Sequence, residues 1–325
     1  MNKFFIVGLC LSMLFLNGCG GGHELKRTGY YLDSMVDVNV RIKNSREVRA
    51  QGEKLSALTF GKLIELDTNL NKLSPISEIS AINGNAGFRM VEVGEMTYDL
   101  LKKSLAGAAM MDGYFDVTWS PLVRLFDRGG AAYGQIEAAK RAISYQNIQL
   151  DTNVKRVRFM NNATELDFDH IKRGYAVDMV VADLAHLKIK TGYVKVGLIT
   201  YYYNTKREKM KFNDGTYVKL KYKKCGVATI GAEDYYQNAN FWKRYLPVKT
   251  TDEDIISVTA IAPNATTAEV IANACFFLGT ENAIAKVKEL KAKSAWRGSY
   301  DVVIVYKEND KEHAVSTLKV RGRRH

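Results

Sequence analysis

The amino-acid sequence predicts an α+β fold, organised as one large domain behind an N-terminal export segment. Segments with the twofold apolar alternation of strands and segments with helical spacing follow one another without a regular order. A doubly wound parallel sheet would instead show a repeated strand–helix–strand pattern. Four prolines in the whole chain argue against long irregular linkers. We therefore expect mixed or antiparallel sheets with packed helices.

The pattern predicts each element in turn along the chain. Apolar residues alternate over 37–42, as in a half-buried strand, and leucines recur at helical spacing over 55–70, ahead of Pro75. The other expected elements are a helix over 97–111, strands over 147–150, 156–160 and 164–168, a helix over 174–187, a strand-rich region over 194–228, a strand over 255–262, helices over 266–278 and 281–290, and a hairpin over 302–306 and 314–318.

The start of the chain has the organisation of a lipoprotein leader. Lys3 precedes an apolar run over 4–16, and this run is shorter than the roughly 20 residues that a spanning helix needs. The sequence Leu16-Asn17-Gly18-Cys19 resembles the lipobox of bacterial lipoproteins. The resemblance implies cleavage before Cys19 and a lipid on its thiol. An ordinary signal peptide with an incidental cysteine is the alternative interpretation.

These signals divide the chain into three parts. We predict a signal peptide over 1–18, the lipidated Cys19 with a flexible glycine-rich tether over 19–31, and a domain over 32–325. The protein is expected to be exported, lipid-anchored to a bacterial membrane and periplasm-facing. Gly20 replaces the aspartate that often signals inner-membrane retention, which favours the outer membrane.

The net charge of +12 allows several partners. A basic surface beside anionic lipid, a cleft for an anionic ligand and an ordinary solvated face are all open interpretations. Nucleic acid is excluded as a partner, because the chain has no recognisable binding module and export removes it from nucleic acid. The basic cluster that raised that possibility is Lys319, Arg321, Arg323 and Arg324.

Two cysteines remain after removal of the leader and acylation of Cys19. A disulfide between Cys225 and Cys275 is compatible with an oxidising compartment, but one pair does not imply it. The sequence holds no Cys-x-x-Cys motif or Cys/His cluster that would indicate zinc.

Four stretches carry more polar and glycine residues than packing requires: residues 77–83, 113–122, 167–178 and 257–273. They contain Ser-Glu-Ile-Ser followed by Asn83, Gly-Tyr-Phe-Asp-Val-Thr followed by Pro-Leu, Gly-Tyr-Ala-Val-Asp, and Ser-Val-Thr followed by Ala-Pro. In this order and spacing they resemble the FAD:protein FMN transferases, the ApbE family of periplasmic flavin transferases. The resemblance covers roughly residues 32–290, and it implies a T-fold-related domain.

The resemblance also implies a reaction. FAD is split at its diphosphate, FMN is attached through a phosphoester to a threonine of an acceptor flavoprotein, and AMP leaves. Mg²⁺ binds the diphosphate and withdraws charge from the bond that breaks. The implied partners are therefore FAD, the acceptor flavoprotein and, through the lipid, the membrane.

Matching positions supply candidate site residues. The resemblance implies that Asp116 and Arg173 are catalytic. The residues implied to bind FAD are Ser77, Glu78, Asp116, Thr118, Lys172, Arg173, Gly174, Asp178 and Thr229. The residues implied to bind the metal are Lys172, Glu269 and Asn273.

Elementary chemistry gives several of these residues a second interpretation. Gly174 permits close backbone approach, and a helix start there would offer N–H groups to an anion. Lys172 and Arg173 can instead be a solvated basic pair, and Asp116 can stabilise a turn. Asp178 can interact with the helix dipole. Glu269 fits a capping box begun at Thr266.

Departures from the family pattern concentrate in the implied site. Arg173 stands where the family has lysine, and residues 197–200 read Gly-Leu-Ile-Thr in place of a Gly-Gly-Asp turn. Thr229-Ile230-Gly231 replaces Thr-Ser-Gly, and residues 244–250 lack the histidine of the family's His-Ile-x-Asp-Pro stretch. Glu269 and Asn273 replace the aspartate and threonine that hold Mg²⁺. Two hypotheses follow: an active transferase with an altered site, or a non-catalytic lipoprotein that binds flavin or a partner.

Overall fold

The computed structural model describes residues 22–43, 45–127, 132–187, 189, 191–204, 209–211, 217–220, 222, 224–232, 248–251, 253–294 and 300–321. The predicted signal peptide, the lipidation site at Cys19 and most of the stretch over 244–250 lie outside these residues. Among the helices that are described, none combines the length and the apolar character that crossing a bilayer requires.

Within the described residues, eight strands form one antiparallel sheet in the order β1-β2-β6-β7-β10-β11-β12-β13. Two small antiparallel sheets, β3-β5-β4 and β8-β9, lie apart from it. The strands are β1 Gly22–Tyr31, β2 Ser34–Lys43, β3 Val91–Glu92, β4 Ile148–Asp151, β5 Arg156–Phe159, β6 Thr191–Val196, β7 Ile199–Tyr202, β8 Lys209–Lys211, β9 Tyr217–Lys219, β10 Cys225–Gly231, β11 Asp254–Ala262, β12 Asp301–Glu308 and β13 Lys311–Ser316.

Three helices form a layer on the large sheet. The helices of the described chain are α1 Arg46–Leu70, α2 Glu78–Gly84, α3 Glu95–Met110, α4 Ser120–Asp127, α5 Tyr133–Ala142, α6 Lys172–Asp183 and α7 Ala265–Lys293. α1 packs on β1 and β2, α6 on β6 and β7, and α7 on β10, β11 and β12, while α6 also contacts both other helices. The main hydrophobic core includes the buried faces of this layer and of the sheet, and it continues into the other helices and the sheet β3-β5-β4. The structure thus confirms the α+β prediction.

β2 shows how the sequence pattern builds this core. Its alternate residues Val36, Val38, Val40 and Ile42 are at most 3 % exposed, and the residues between them face away. This is the alternation that predicted a half-buried strand over 37–42. The predicted helices over 55–70 and 97–111 are likewise confirmed within α1 and α3.

The described part of the predicted tether is a strand. β1, Gly22–Tyr31, pairs with β2 along its whole length, from Gly22 opposite Lys43 to Tyr31 opposite Ser34. The prediction was wrong here because β1 is an edge strand, and the polar residues of its first half obscure the twofold pattern. Leu25 is its one side chain in the core, at 1 % exposed.

The strand predicted over 164–168 is also wrong. Thr164, Leu166 and Phe168 alternate in burial as strand residues do. The backbone, however, pairs with a side chain, because Asn83 accepts from Leu166 N at 2.8 Å and donates to Leu166 O at 3.1 Å. A loop held by an amide side chain therefore gives the same sequence pattern as a strand.

Two helix predictions shift at their boundaries. The helix predicted over 174–187 begins earlier and ends earlier, at Lys172–Asp183. The two helices predicted over 266–278 and 281–290 lie in one long element, α7, which is interrupted at Gly279 with φ 78°. Cys225 and Cys275 are both buried free thiols, and burial raises the pKa of each.

Candidate active site at the start of α6

Several turns meet where α6 begins. Lys172 Nζ lies 3.4 Å from Asp33 Oδ2 in the β1–β2 turn. Gly197 N, in the β6–β7 turn, donates to Met35 O at 3.0 Å. Arg173 Cδ lies 3.6 Å from the place that a Cβ on Gly197 would occupy. The structure thus brings the predicted basic residues together with the turn that replaces the family's Gly-Gly-Asp.

The starts of α6 and α7 are joined by two buried carboxylates. Glu269 of α7 accepts from Gly174 N of α6 at 2.6 Å. Asp178 of α6 accepts from Ala265 N and Thr266 N of α7, both at 2.8 Å, and from Thr266 Oγ1 at 2.5 Å. The first N–H groups of a helix lack partners within it, and a negative charge near them is stabilising. Each helix therefore caps the other, and we call these contacts the reciprocal caps.

The reciprocal caps correct three predictions. The N-terminal residue that caps α7 is Asn264, whose side chain accepts from Thr267 N at 2.8 Å, so the capping box between Thr266 and Glu269 does not form. Asp178 does interact with a helix start, but with that of α7 rather than its own. The Gly174 N–H, expected to face a phosphate, is taken by Glu269.

Gly174 is the point of closest approach between the two helices. A Cβ at this position would lie 2.7 Å from Ala265 O and 2.8 Å from Thr266 Cα. Both are backbone atoms, which cannot move aside as the end of a side chain can. Glycine is therefore required here for packing, and the reciprocal caps depend on it.

Arg173 and Glu269 form an ion pair inside the site. Arg173 Nε lies 3.5 Å from Glu269 Oε1, a distance typical of an ion pair rather than of a well-formed hydrogen bond. The Glu269 side chain is 0 % exposed and that of Arg173 is 19 % exposed. Burial raises the pKa of Glu269 to about 7, although Arg173 and the Gly174 N–H oppose the shift.

Because the pKa of Glu269 is raised in the folded protein, the free energy of unfolding is expected to fall as the pH rises. A carboxyl whose folded pKa exceeds its unfolded value binds more protons when folded. Its stabilising contribution is therefore complete below the unfolded pKa of 4.5 and is lost as the pH rises to the folded value of about 7. The full change is about 3 kcal/mol.

Urea unfolding in EDTA between pH 4.5 and 8 measures this loss. We expect the free energy of unfolding to decline over that range in the wild type and to decline less in Glu269→Gln. The pKa values of Asp116 and Asp178, which burial also raises, leave a residual slope of the same sign in both proteins. Identical slopes in the two proteins would show that Glu269 does not titrate as described.

Lys172 belongs to a second ion-pair network on the outer side of the site. Its Nζ lies 2.6 Å from Asp169 Oδ1, and Lys72 Nζ lies 2.9 Å from Asp169 Oδ2 and 2.6 Å from Asp167 Oδ2. Burial alone would raise the pKa of Asp169, but the two ammonium groups outweigh it and hold that pKa well below its ordinary value. Lys172 is therefore neutralised locally and is not the solvated partner of Arg173.

Asn273 holds the loop before α6. Its amide nitrogen donates to His170 O at 3.1 Å and to Glu269 O, one turn earlier in α7, at 2.8 Å. The position that was predicted to bind a metal thus ties α7 to the segment that leads into Lys172. Among the described residues no cluster of three or more His, Cys, Asp or Glu side chains could hold a metal ion.

Thr229 lies beside the turn that follows β6. Its N–H donates to Leu198 O at 3.3 Å, and its hydroxyl lies 2.9 Å from that of Thr259 on β11. Leu198 itself is 49 % exposed and Met35 is 57 % exposed, so both present apolar side chains at the surface of the site. Leu198 points outward and does not fill the turn.

Ser77 and Glu78 perform capping roles. Ser77 Oγ accepts from Ser80 N at 3.2 Å, as the N-terminal cap of α2. Glu78 Oε1 accepts from Gly94 N, directly before α3, at 2.7 Å. Ser77 is 1 % exposed. Their predicted role in FAD binding stays a prediction.

Asp116 and Thr118 form a closed hydrogen-bonded turn. One carboxylate oxygen of Asp116 accepts from Thr118 N at 2.9 Å and from Thr118 Oγ1 at 2.7 Å, and the other accepts from Tyr145 N at 2.6 Å. This geometry agrees with the turn-stabilising interpretation of Asp116. The segment joins the loop before α6, because Asp167 N donates to Val117 O at 2.8 Å.

Sequence reasoning missed Asp33, Asp169 and Lys72 as parts of the site. Lys72 lies two residues beyond the predicted leucine-rich helix over 55–70, and Asp33 precedes β2, so nothing in their spacing connects them with α6. Only the tertiary fold places Asp33 and Lys72 within reach of Lys172, whereas Asp169 lies three residues before it.

Comparisons with known proteins agree with this fold. The model of the ApbE family matches residues 32–296. The chain is 24% identical over 330 aligned positions to an FAD:protein FMN transferase of Treponema pallidum (strain Nichols), with 90% of each chain covered. It is 25% identical over 272 positions to an FAD:protein FMN transferase of Klebsiella pneumoniae (strain 342), covering 79% of this chain and 84% of that one.

Solved structures show the same architecture. The apo flavinyl transferase ApbE of Pseudomonas stutzeri superposes with a TM-score of 0.73 at 21% identity, covering 93% of this chain and 96% of that one. The ApbE protein of Thermotoga maritima gives 0.69 at 22% identity, covering 87% and 94%.

Proposed function

The chain belongs to the ApbE family, and on that premise we propose that it is an FAD:protein FMN transferase. The threonine hydroxyl of an acceptor flavoprotein attacks the FMN phosphorus of FAD. The bond from that phosphorus to the bridging oxygen breaks, and AMP leaves with that oxygen. The hydroxyl proton is released. The observation that carries the proposal is the match over residues 32–296, together with transferase relatives that align over most of their length.

The site offers FAD the partly buried Arg173 guanidinium and two exposed apolar side chains. The partly exposed Arg173 side chain can bind the diphosphate while its Nε stays beside Glu269, whereas Lys172 Nζ is held by Asp169 at 2.6 Å. Met35 and Leu198 are exposed beside it and can cover the flat rings of the dinucleotide. Asp116 acts as a positioning residue in this account, because three hydrogen bonds hold its carboxylate.

Mg²⁺, which the family resemblance implies, does not fit the residues present. Glu269 is fully buried, one of its oxygens accepts from Gly174 N, and the other faces the Arg173 guanidinium. Mg²⁺ requires close octahedral oxygen ligands and keeps several waters. Lys172 can offer only a backbone carbonyl, and the Asn273 amide nitrogen is turned to two carbonyls. No step of the proposed reaction is therefore assigned to a metal.

We further propose that a lipid on Cys19 anchors the protein to the membrane facing the periplasm. Only Gly20 and Gly21 separate Cys19 from the start of β1. β1 ends at Tyr31, next to the turn that contacts Lys172, and ten strand residues span roughly 33 Å. The site therefore lies at the end of β1 that is farther along the chain from the proposed anchor. Radiolabelled palmitate incorporation that survives in Cys19→Ala would contradict this anchor.

A non-catalytic flavin-binding or partner-binding protein is the second candidate function. The observation that favours it is the use of Asp116, Asp178 and Glu269 in structural hydrogen bonds. No described carboxylate among the three is left to act as a base without rearrangement.

Transfer to an acceptor separates the two candidates. The protein from Gly20 onward, without the predicted signal peptide and Cys19, is called the soluble domain. It is incubated with FAD and a threonine-bearing flavoprotein acceptor, with and without Mg²⁺. The acceptor is then examined for covalent flavin fluorescence after denaturing electrophoresis. We expect a fluorescent band with the wild-type acceptor and none when its target threonine is changed to valine. An unlabelled acceptor beside protein that still binds FAD would favour the non-catalytic function.

A further inference from the structure

The Arg173–Glu269 pair occupies the place where the family resemblance implies a metal ion. Glu269 is the only carboxylate among the three predicted metal ligands, and Arg173 Nε lies 3.5 Å from it. A ligand oxygen lies about 2.0–2.1 Å from Mg²⁺. A metal ion on Glu269 Oε1 would therefore sit beside the guanidinium, and the two positive charges would repel each other strongly in a buried site.

Two of the departures from the family pattern, Arg173 and Glu269, thus form an ion pair in the fold. Arginine keeps its charge at any physiological pH, and its planar guanidinium binds phosphate oxygens in pairs. The reciprocal caps fix the pair, since Glu269 is held by Gly174 N and Arg173 is the residue before Gly174. The buried carboxylate in turn orients the guanidinium.

We infer that the Arg173 guanidinium, oriented by Glu269, replaces the divalent cation of this site, so that the chain binds FAD through its diphosphate without Mg²⁺. This inference rests on the proposed function, because it specifies how the same site recognises its substrate. Arg173 binds substrate in this account and Glu269 positions it.

FAD binding in the presence and absence of metal tests the inference. Quenching of flavin fluorescence gives the Kd of the soluble domain in EDTA and in excess MgCl₂. We expect the two Kd values to agree within about twofold. We expect Arg173→Met to weaken FAD binding by at least about tenfold in both buffers, because the substitution removes one charge-assisted contact. Arg156→Met is the matched control, since Arg156 is half-exposed on β5 and pairs only with Glu92 among its described salt bridges.

The outcomes distinguish this inference from the proposed function. Binding that weakens at least about tenfold in EDTA and returns with MgCl₂ would overturn the inference and leave the proposed function intact. Wild-type affinity in Arg173→Met would also overturn it. If FAD binds neither in EDTA nor in MgCl₂, both the inference and the proposed function are overturned.

A measurement on the wild type avoids any effect of substitution on folding. Mn²⁺ is added to the soluble domain with FAD, and the free ion is followed by electron paramagnetic resonance. We expect the Mn²⁺ signal to match that of FAD and Mn²⁺ without protein. Stoichiometric loss of free Mn²⁺ on addition of the protein would show that the complex with FAD holds a divalent cation, contrary to the inference.

Discussion

Gly174→Ala is expected to destabilise the protein by about 3 kcal/mol or more. This is the upper end of the destabilisation seen when an added group overpacks a rigid contact. The added methyl group would lie 2.7 Å from Ala265 O and 2.8 Å from Thr266 Cα. α6 and α7 would have to separate, which would lengthen the hydrogen bonds from Gly174 N to Glu269 and from Thr266 N to Asp178. Urea unfolding followed by circular dichroism measures the change.

Gly61→Ala is the matched control. Gly61 also lies within a helix, α1, but nothing is within 4 Å of the position that its Cβ would take. Alanine there is expected to stabilise the protein by about 0.5–1 kcal/mol, because it lowers the entropy of the unfolded chain and favours helix. Equal effects at the two glycines would contradict the close approach of α6 and α7.

Glu269→Ala is expected to lower the free energy of unfolding by about 3 kcal/mol at pH 8, where Glu269 is ionised. The substitution leaves Arg173 without its buried counterion and removes the acceptor of Gly174 N. Glu269→Gln keeps an oxygen for Gly174 N and buries no charge, so it is expected to cost less than Glu269→Ala, and less at pH 8 than at pH 4.5. Glu281→Ala, at an exposed position of the same helix, serves as the control.

The same variants separate the present account from the capping box that the sequence suggested. A capping box at the start of α7 would confine the effect of Glu269→Ala to about 1 kcal/mol, the value typical of a helix cap. It would also leave FAD binding unchanged. A loss of that size, together with unaltered FAD affinity, would contradict the reciprocal caps.

The sequence predicted the fold better than the site. β2, α1 and the two halves of α7 follow from apolar periodicity, which depends on burial alone. β1 was missed because an edge strand needs little apolar surface, and the loop over 164–168 imitated a strand because Asn83 satisfies its backbone.

The roles of polar residues depended on partners distant in the sequence. The spacing from Thr266 to Glu269 matches a capping box, yet Glu269 binds Gly174, 95 positions away. Asp178 was correctly connected with a helix start, but its partner belongs to α7, 88 positions later at Thr266. Local sequence identifies which carboxylates can cap a helix, and only the packing of α6 on α7 determines which helix they cap.

Release of AMP shows whether this site transfers FMN from FAD to a protein. The wild-type soluble domain, FAD and a threonine-bearing acceptor are incubated in EDTA and in MgCl₂, and AMP is measured by chromatography against the amount of acceptor that carries covalent flavin. We expect AMP and labelled acceptor in equal amounts in both buffers. Intact FAD with no AMP in either buffer would contradict the claim.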